Sequence, residues 1–237
     1  MAQHEPIKIA AQAVLLDIEG TTTPLAFVKE LLFPYARARL PEFVVRHEQD
    51  PAVAHELRQI REMAGQELSP REVGALLQTW IDQDRKIAPL KSLQALVWQQ
   101  GYERGEIKGQ VYPDAVRALR AWWLRGVRLY VYSSGAVPAQ KALFRHSESG
   151  DLSGWFTGHF DLALGSKTQA ESYAAIAAII GLAPGRILFL SDVKAELDAA
   201  RQAGLQTGWV IRQGALPRAS EHPLVASFAE LDVFLPV

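Results

Sequence analysis

The chain has 237 residues, 49% hydrophobic and 22% charged, the make-up of a folded protein with a sizeable core and not of a disordered segment. Its 25 Lys and Arg balance 26 Asp and Glu, which removes the electrostatic case for nucleic acid or an anionic membrane surface. There is no cysteine, so disulfides, thiolate metal sites and cysteine nucleophiles are excluded together, and a metal would fall to oxygen ligands or histidines, a set suited to magnesium, calcium or manganese.

The opening Met1 to Pro6 has no basic start, and the apolar stretch behind it is broken by Gln12 and stopped by Asp17. No signal peptide is expected. The longest apolar run, around Tyr173 to Ala183, falls short of the ~20 residues of a membrane span. A cytoplasmic monomer is the expectation.

In chain order, the first expected element is a strand over Ala13-Val14-Leu15-Leu16, an unbroken apolar run of the kind buried on both faces of a parallel sheet. It ends abruptly in Asp17-Ile18-Glu19-Gly20-Thr21. From about Phe27 to Lys108 the pattern is helical. Asp50-Pro51 opens one helix that Gly65 closes, and Ser69-Pro70-Arg71-Glu72 is a capping box for a second with Leu76, Leu77 and Trp80 on its apolar stripe. A third is expected from Pro89 to Gln100, stopped by Gly101. After Tyr112 helix and strand alternate: a helix from Asp114 closed by Gly126, the strand Leu129 to Tyr132 ending in Ser133-Ser134-Gly135, and a helix from Pro138 to Arg145. Next, Ser166-Lys167-Thr168-Gln169 resembles a capping box before an apolar helix to Ile180. The strand Ile187 to Leu190 ends in Ser191-Asp192, a helix follows up to Gly204, and a last strand lies near Trp209-Val210-Ile211.

Alternating strands and helices imply parallel crossovers. The expected fold is α/β, a Rossmann-like doubly wound parallel sheet formed by residues 1–24 and 109–237. An all-helical insert over 25–108 would act as a cap above the strand ends.

Four junctions, at Asp17/Glu19, Ser133/Ser134, Lys167 and Asp192, carry polar residues that such a sheet brings to its ligand-binding edge. Hydrolysis of a phosphate monoester needs a nucleophile, cations to neutralise the phosphoryl oxygens and a proton for the leaving oxygen. Asp17 can attack phosphorus and form an acyl phosphate. Magnesium between Asp17, Asp192 and a phosphate oxygen would cancel the repulsion. Lys167 adds a fixed positive charge, and Ser133 with its turn supplies donors. Glu19, two residues beyond the nucleophile, is placed to act as acid and then as base on the hydrolytic water. Glu196, one helical turn after Asp192, is expected to support the metal site from behind, and His159 is read as structural. The aromatics Phe27, Trp80, Trp98 and Tyr102 could line an apolar pocket, although aromatics at helical spacing more often pack between helices.

This order of acid pair, hydroxyl, lysine and acid, with a helical insert after the first motif, resembles the haloacid-dehalogenase-like hydrolases. Glu19 in Asp-Ile-Glu-Gly-Thr-Thr-Thr-Pro, followed by Phe27-Val28-Lys29 and Leu32-Phe33-Pro34-Tyr35-Ala36, is similar to the enolase-phosphatases of methionine salvage. So are Gly105-Glu106-Ile107-Lys108, Tyr132-Ser133-Ser134-Gly135 and Phe189-Leu190-Ser191-Asp192-Val193. The likeness fades after Arg212, where Gln213-Gly214-Ala215-Leu216 stands in place of Pro-Gly-Asn. The resemblance implies a phosphorylated diketone, 2,3-diketo-5-methylthiopentyl-1-phosphate, as substrate. It further implies one magnesium ion at Asp17, Glu19 and Asp192, with Ser133, Ser134 and Lys167 holding the substrate. Two alternatives stay open: a phosphatase of another small ester on the same fold, or a receiver-like domain that uses aspartate, magnesium and lysine for signalling.

Overall fold

The computed structural model describes residues 5–236 apart from 216 and 218. The opening Met1 to His4, read above for a signal peptide, and the Leu216 end of the run after Arg212 lie outside the described residues. The elements are β1 (Ile7–Ala10), β2 (Ala13–Leu16), a π-helical segment (Phe27–Leu32), α1 (Phe33–Arg46), α2 (Pro51–Ala64), α3 (Pro70–Asp82) and α4 (Ala88–Glu103). Then follow α5 (Pro113–Leu124), β3 (Arg128–Tyr132), α6 (Val137–Arg145), β4 (Phe156–Phe160), α7 (Ala170–Ile180), β5 (Ile187–Ser191), α8 (Lys194–Gln202), β6 (Gln206–Val210), β7 (Leu224–Val225) and β8 (Leu231–Phe234). The chain divides into two compact units, Met1–Leu25 with Gly109–Val237, and Ala26–Lys108.

The first unit is the expected doubly wound sheet. Its six parallel strands lie in the order β4-β3-β2-β5-β6-β7. From β2 the chain first builds outward through β3 and β4, then crosses back to build β5, β6 and β7 on the other side. The reversal falls at β2, and a crevice forms beyond the carboxyl ends of strands at such a point. All four residues of β2 and all five of β5 are buried, which is why neither shows polar alternation. Leu15, Tyr132, Tyr173, Ile176, Phe189 and Leu197 belong to one continuous core between the sheet and α7 and α8.

Several elements differ from expectation. β1 precedes the strand expected first and pairs with β8 in a separate two-stranded parallel sheet. β4 carries no apolar run in the sequence, since Gly158 and His159 interrupt it, yet a Cβ at Gly158 would come within 3.1 Å of the Tyr130 ring on β3. Gly158 is there to admit a neighbouring ring, not to make a turn. Gly101 does not stop α4, which continues to Glu103, and a Cβ there would press on Ile107 and the Tyr35 ring. Ser166 does not cap α7. The N-cap is Gln169, without a side-chain hydrogen bond, while the Ser166 hydroxyl pairs with that of Thr168, 3.0 Å away, and accepts from the Thr168 N–H.

The second unit is helical throughout, apart from its connecting turns. Asp50 caps α2, Gly65 closes it at φ 64°, and the Ser69/Glu72 capping box of α3 is complete. Leu40, Leu57, Ile60, Leu77, Trp80 and Leu93 form a core of its own. Trp80 is thus accounted for by packing, and the half-buried Trp98 indole donates to the Leu32 carbonyl at 2.8 Å.

Helices α1 and α3 meet closely through an unusual pair. Pro41 lies inside α1 and has no N–H to give to the carbonyl of Arg37 four residues back. The Gln78 amide on α3 donates to that carbonyl instead, at 3.0 Å. Beside it, a Cβ on Gly74 would stand 2.7 Å from the Pro41 Cα. Gly74→Ala gains up to about 1 kcal/mol of helix propensity but must push a backbone aside, which costs about 1–3 kcal/mol. Net destabilisation is the expected outcome in urea unfolding, and a rise in the midpoint would contradict this packing.

Candidate active site

Register brings the site together. Leu16 of β2 pairs with Val131 of β3 and with Leu190 of β5. Asp17, one residue beyond β2, therefore lies in line with Tyr132 on one side and Ser191 on the other. Ser133 and Asp192 follow one position later, just past β3 and β5, the two strands that flank β2.

Asp17 is buried, at 5% exposure. One carboxylate oxygen is held by the Lys167 ammonium, and the other accepts from the Thr21 hydroxyl at 3.1 Å. Lys167 also pairs with Glu196 at 2.7 Å, and the Glu196 carboxylate accepts from the Ser191 hydroxyl at 2.9 Å. Burial works against the Lys167 charge, but Asp17 and Glu196 outweigh it and hold the ammonium above its ordinary range. Burial also pushes the Glu196 carboxyl up. The Lys167 backbone is fixed from behind by the Tyr173 hydroxyl, which donates to its carbonyl at 2.7 Å.

Asp192 has its main chain fixed twice. Its N–H donates to the Thr21 hydroxyl at 2.9 Å, and its carbonyl accepts from the Trp209 indole at 2.9 Å. Its side chain is less settled. Burial, and next the nearby Asp17 charge, push its carboxyl up to about 7. Its Oδ1 is buried without a hydrogen-bond partner among the described residues. Gly20 makes room for this carboxylate: φ there is 78°, and a Cβ would lie 2.1 Å from Oδ2. Any other residue at position 20 would fail on both counts.

Ser133 is buried, and its hydroxyl accepts from the Gly135 N–H at 3.1 Å, so this amide is spent inside the turn. The turn is braced by Gln140, whose side-chain amide donates to the carbonyls of Gly135 and Phe160 at 2.7 and 2.8 Å. Ser134 is exposed and Glu19 half-buried. Glu19 sits in the tight loop after Asp17, where the Gly20 N–H donates to the Thr23 carbonyl at 2.8 Å. The His159 ring faces the Gln140 side-chain amide oxygen, Oε1, at 3.3 Å, and burial, aided by Lys141, lowers its pKa to about 4. It is neutral at pH 7, in keeping with a structural role.

No group of three His, Cys, Asp or Glu side chains among the described residues is arranged around a common metal position. Around Lys167 the acids are Asp17 and Glu196, and Asp192 lies near enough for the Asp17 charge to raise its carboxyl. Thr21 and Glu196 complete the cluster. Thr21 has no signal of its own in the sequence, because its function depends on a hydroxyl lying between two strands. Among the described residues no helix is long and apolar enough to cross a membrane.

Comparison with known proteins agrees with this geometry. Residues 11–204 match the family model described as haloacid dehalogenase-like hydrolase. The chain is 51% identical over 221 residues to "Enolase-phosphatase E1" of Pseudomonas aeruginosa (strain LESB58), covering 93% of this chain and 97% of that one. It is 50% identical to the protein of the same name from Methylococcus capsulatus, covering 92% and 96%. The crystal structure of the UTR4 protein of Saccharomyces cerevisiae superposes with a TM-score of 0.79 at 35% identity, covering 93% of this chain and all of that one. With the receiver-like alternative thereby set aside, the chain belongs to the haloacid dehalogenase-like hydrolases and, within them, to the enolase-phosphatase family.

Proposed function

We propose that the protein is a magnesium-dependent bifunctional enolase-phosphatase of methionine salvage. It enolises 2,3-diketo-5-methylthiopentyl-1-phosphate and then hydrolyses the ester, giving 1,2-dihydroxy-3-keto-5-methylthiopentene and phosphate. The observation that carries this reading is the buried Asp17 at the switch point, gripped on one oxygen by Lys167 and on the other by Thr21. The identity to enolase-phosphatases over nearly the whole chain supports the substrate. The same reading makes it a cytoplasmic monomer acting on a small molecule.

Magnesium fits the donor set. Asp17 and Glu196 share the Lys167 ammonium, and one buried carboxylate oxygen of Asp192 lacks a partner among the described residues. Magnesium commonly takes one or two carboxylates and fills its remaining positions with water and substrate phosphate. Asp17 and Asp192 therefore suffice as side-chain ligands, with Glu19 close by in the loop. When bound, the ion neutralises the phosphoryl oxygens and stabilises negative charge that develops on the substrate.

The chain's own groups then divide the work. In enolisation, one proton moves from the carbon beside the carbonyl to the carbonyl oxygen. Glu19 takes it from carbon, its extra methylene giving it a longer reach than an aspartate. Glu19 passes that proton to the carbonyl oxygen and is reprotonated from solvent; in hydrolysis Asp17 then attacks phosphorus, the bond from phosphorus to the substrate oxygen breaks, and Glu19 protonates that oxygen. Glu19 next takes a proton from water, which attacks the aspartyl phosphate and releases phosphate and free Asp17. Lys167 balances charge on the phosphoryl oxygens, and Ser133 and Ser134 hold the substrate from the β3 turn.

Three outcomes test this. Incubated with the diketone phosphate, the protein should release phosphate and build enediol absorbance only with magnesium, and Asp17→Asn should abolish phosphate release. Release from other esters but not this one would leave the nucleophile standing and remove the substrate. Glu19→Asp should slow enolisation by about 100-fold or more while leaving hydrolysis of p-nitrophenyl phosphate within a few fold; full enolisation would end the role given to Glu19. In thermal unfolding, magnesium should raise the wild-type midpoint by mass action. Asp192→Asn, relieved of a like charge, should melt higher than wild type without metal and respond less to it. An undiminished response would take Asp192 out of the metal site.

A further inference from the structure

We infer that Arg212 is a positioning residue of this site, gripping the Thr21 carbonyl so that the Thr21 hydroxyl stands between Asp17 and Asp192. The inference rests on the proposed roles of those two acids.

The Thr21 hydroxyl has one proton and uses it on Asp17 Oδ2, 3.1 Å away, while accepting the Asp192 N–H at 2.9 Å. A single group thus sets the carboxylate that follows β2 against the main chain that follows β5. A modest rotation of the Thr21 peptide would break both bonds. Within its own loop Thr21 is weakly tethered: its N–H reaches the Ile18 carbonyl at 3.3 Å, and the preceding Gly20 gives the backbone wide freedom. The firm restraint comes from elsewhere. Arg212 Nε and a terminal guanidinium nitrogen both donate to the Thr21 carbonyl, at 3.0 and 2.8 Å. Two donors from one rigid plane fix the direction of the acceptor as well as its distance, which a lysine ammonium cannot do.

The clamp is itself immobilised. The Arg212 side chain is 9% exposed and lies against the rings of Tyr112 and Phe228, 4.2 and 4.9 Å from their centroids. Its other terminal nitrogen donates to Asp114 at 2.6 Å. The same Asp114 oxygen accepts from the Ser227 hydroxyl and the Phe228 N–H, each at 2.8 Å. Burial pushes the Asp114 carboxyl up, but the bonds from Arg212, Phe228 and Ser227 outweigh it and hold it below the usual carboxylate range. Asp114 balances the Arg212 charge, so what Arg212 gives the site is direction, not net field. Segments from three parts of the chain, at Tyr112 and Asp114, Arg212, and Ser227 and Phe228, thus meet around one guanidinium, and the carbonyl it holds belongs to Thr21, whose hydroxyl touches both the Asp17 carboxylate and the Asp192 main chain.

The test compares Arg212→Lys, Thr21→Val and the double variant. Arg212→Lys keeps a cation beside Asp114 but loses the two-pronged grip, and Thr21→Val removes the hydroxyl while leaving the carbonyl. Two readouts are used: amide hydrogen exchange across residues 17–24, and kcat and KM on both the diketone phosphate and p-nitrophenyl phosphate. Arg212→Lys should speed exchange in that loop about 10-fold or more, with β3 and α7 unchanged. It should lower kcat by about 10- to 100-fold with KM within about threefold, and in the Thr21→Val background it should cost almost nothing further. Unchanged loop exchange, or losses that multiply in the double variant, would overturn the inference and leave Arg212 a brace of the fold. Turnover of p-nitrophenyl phosphate without the diketone phosphate would sink the substrate while the clamp is still judged, and if the wild type turns over neither, exchange alone decides. Should Arg212→Lys fail to fold, Tyr112→Leu removes one face of the stack, spares the ion pair and is read the same way.

Discussion

The arrangement depends on the burial of Asp17 and Glu196 on the ammonium of Lys167, with Asp192 near enough for the Asp17 charge to raise its carboxyl. Carboxylates taken out of water lose several kcal/mol of hydration each and recover it only through close, well-directed partners. Asp17 and Glu196 have such partners. Asp192 is left with a buried oxygen that nothing on the described chain satisfies. A fold that buries this much like charge must hold it against its tendency to spread, and much of the surrounding structure can be understood as that restraint. The strands carrying Asp17 and Asp192 are buried along their whole lengths. The loop between the acids is closed by a glycine that clears space for one of them. The Lys167 backbone is fixed by a buried tyrosine.

The cluster also owes its precision to register, not to long loops. Because β3, β2 and β5 are adjacent and parallel, residues that end each strand arrive about 4.8 Å apart without further steering. Only the last step, the direction of each side chain, needs extra devices. Those devices are hydrogen bonds to main-chain groups: Trp209 on the Asp192 carbonyl, Gln140 on the Ser133 turn, Arg212 on the Thr21 carbonyl. Main-chain groups cannot change rotamer, so holding them fixes a side chain at its root.

This explains what could be read in the sequence. β2 and β5 were legible because burial on both faces leaves an apolar run with an abrupt polar end, and the same ends carry Asp17 and Asp192. The helices of the second unit were legible from caps, since a capping box is local chemistry. Missing were features whose cause lies far along the chain. β1, Ile-Lys-Ile-Ala, is a strand because β8 lies beside it more than 200 residues later. Gly158 and Gly101 look like breaks and are close approaches to Tyr130 and Tyr35. Ser166 has the spacing of a cap, but its hydroxyl is committed to the turn that sends Lys167 inward. Thr21 and Arg212 are the clearest case: one sits in a run of three threonines and the other where the family likeness fades, and only tertiary structure joins them.

The point at which the helical unit interrupts the sheet follows from the same restraint. The chain leaves just after the Asp17 loop and returns just before α5, so a flexible insertion there would shake the nucleophile. The ends are pinned instead within the first unit. The Tyr112 N–H donates to the Thr22 carbonyl at 2.9 Å, and the Tyr112 ring is one face of the Arg212 stack. The outgoing loop and the returning segment before α5 are thereby tied to each other and to the C-terminal part of the chain at one place. The inserted helices bring a core of their own, built around Leu40, Leu57, Leu77 and Leu93. An insert with its own core, leaving from a loop fastened at its root, need not set the geometry of Asp17, since the bonds that hold Asp17 come from Thr21 and Lys167 of the first unit.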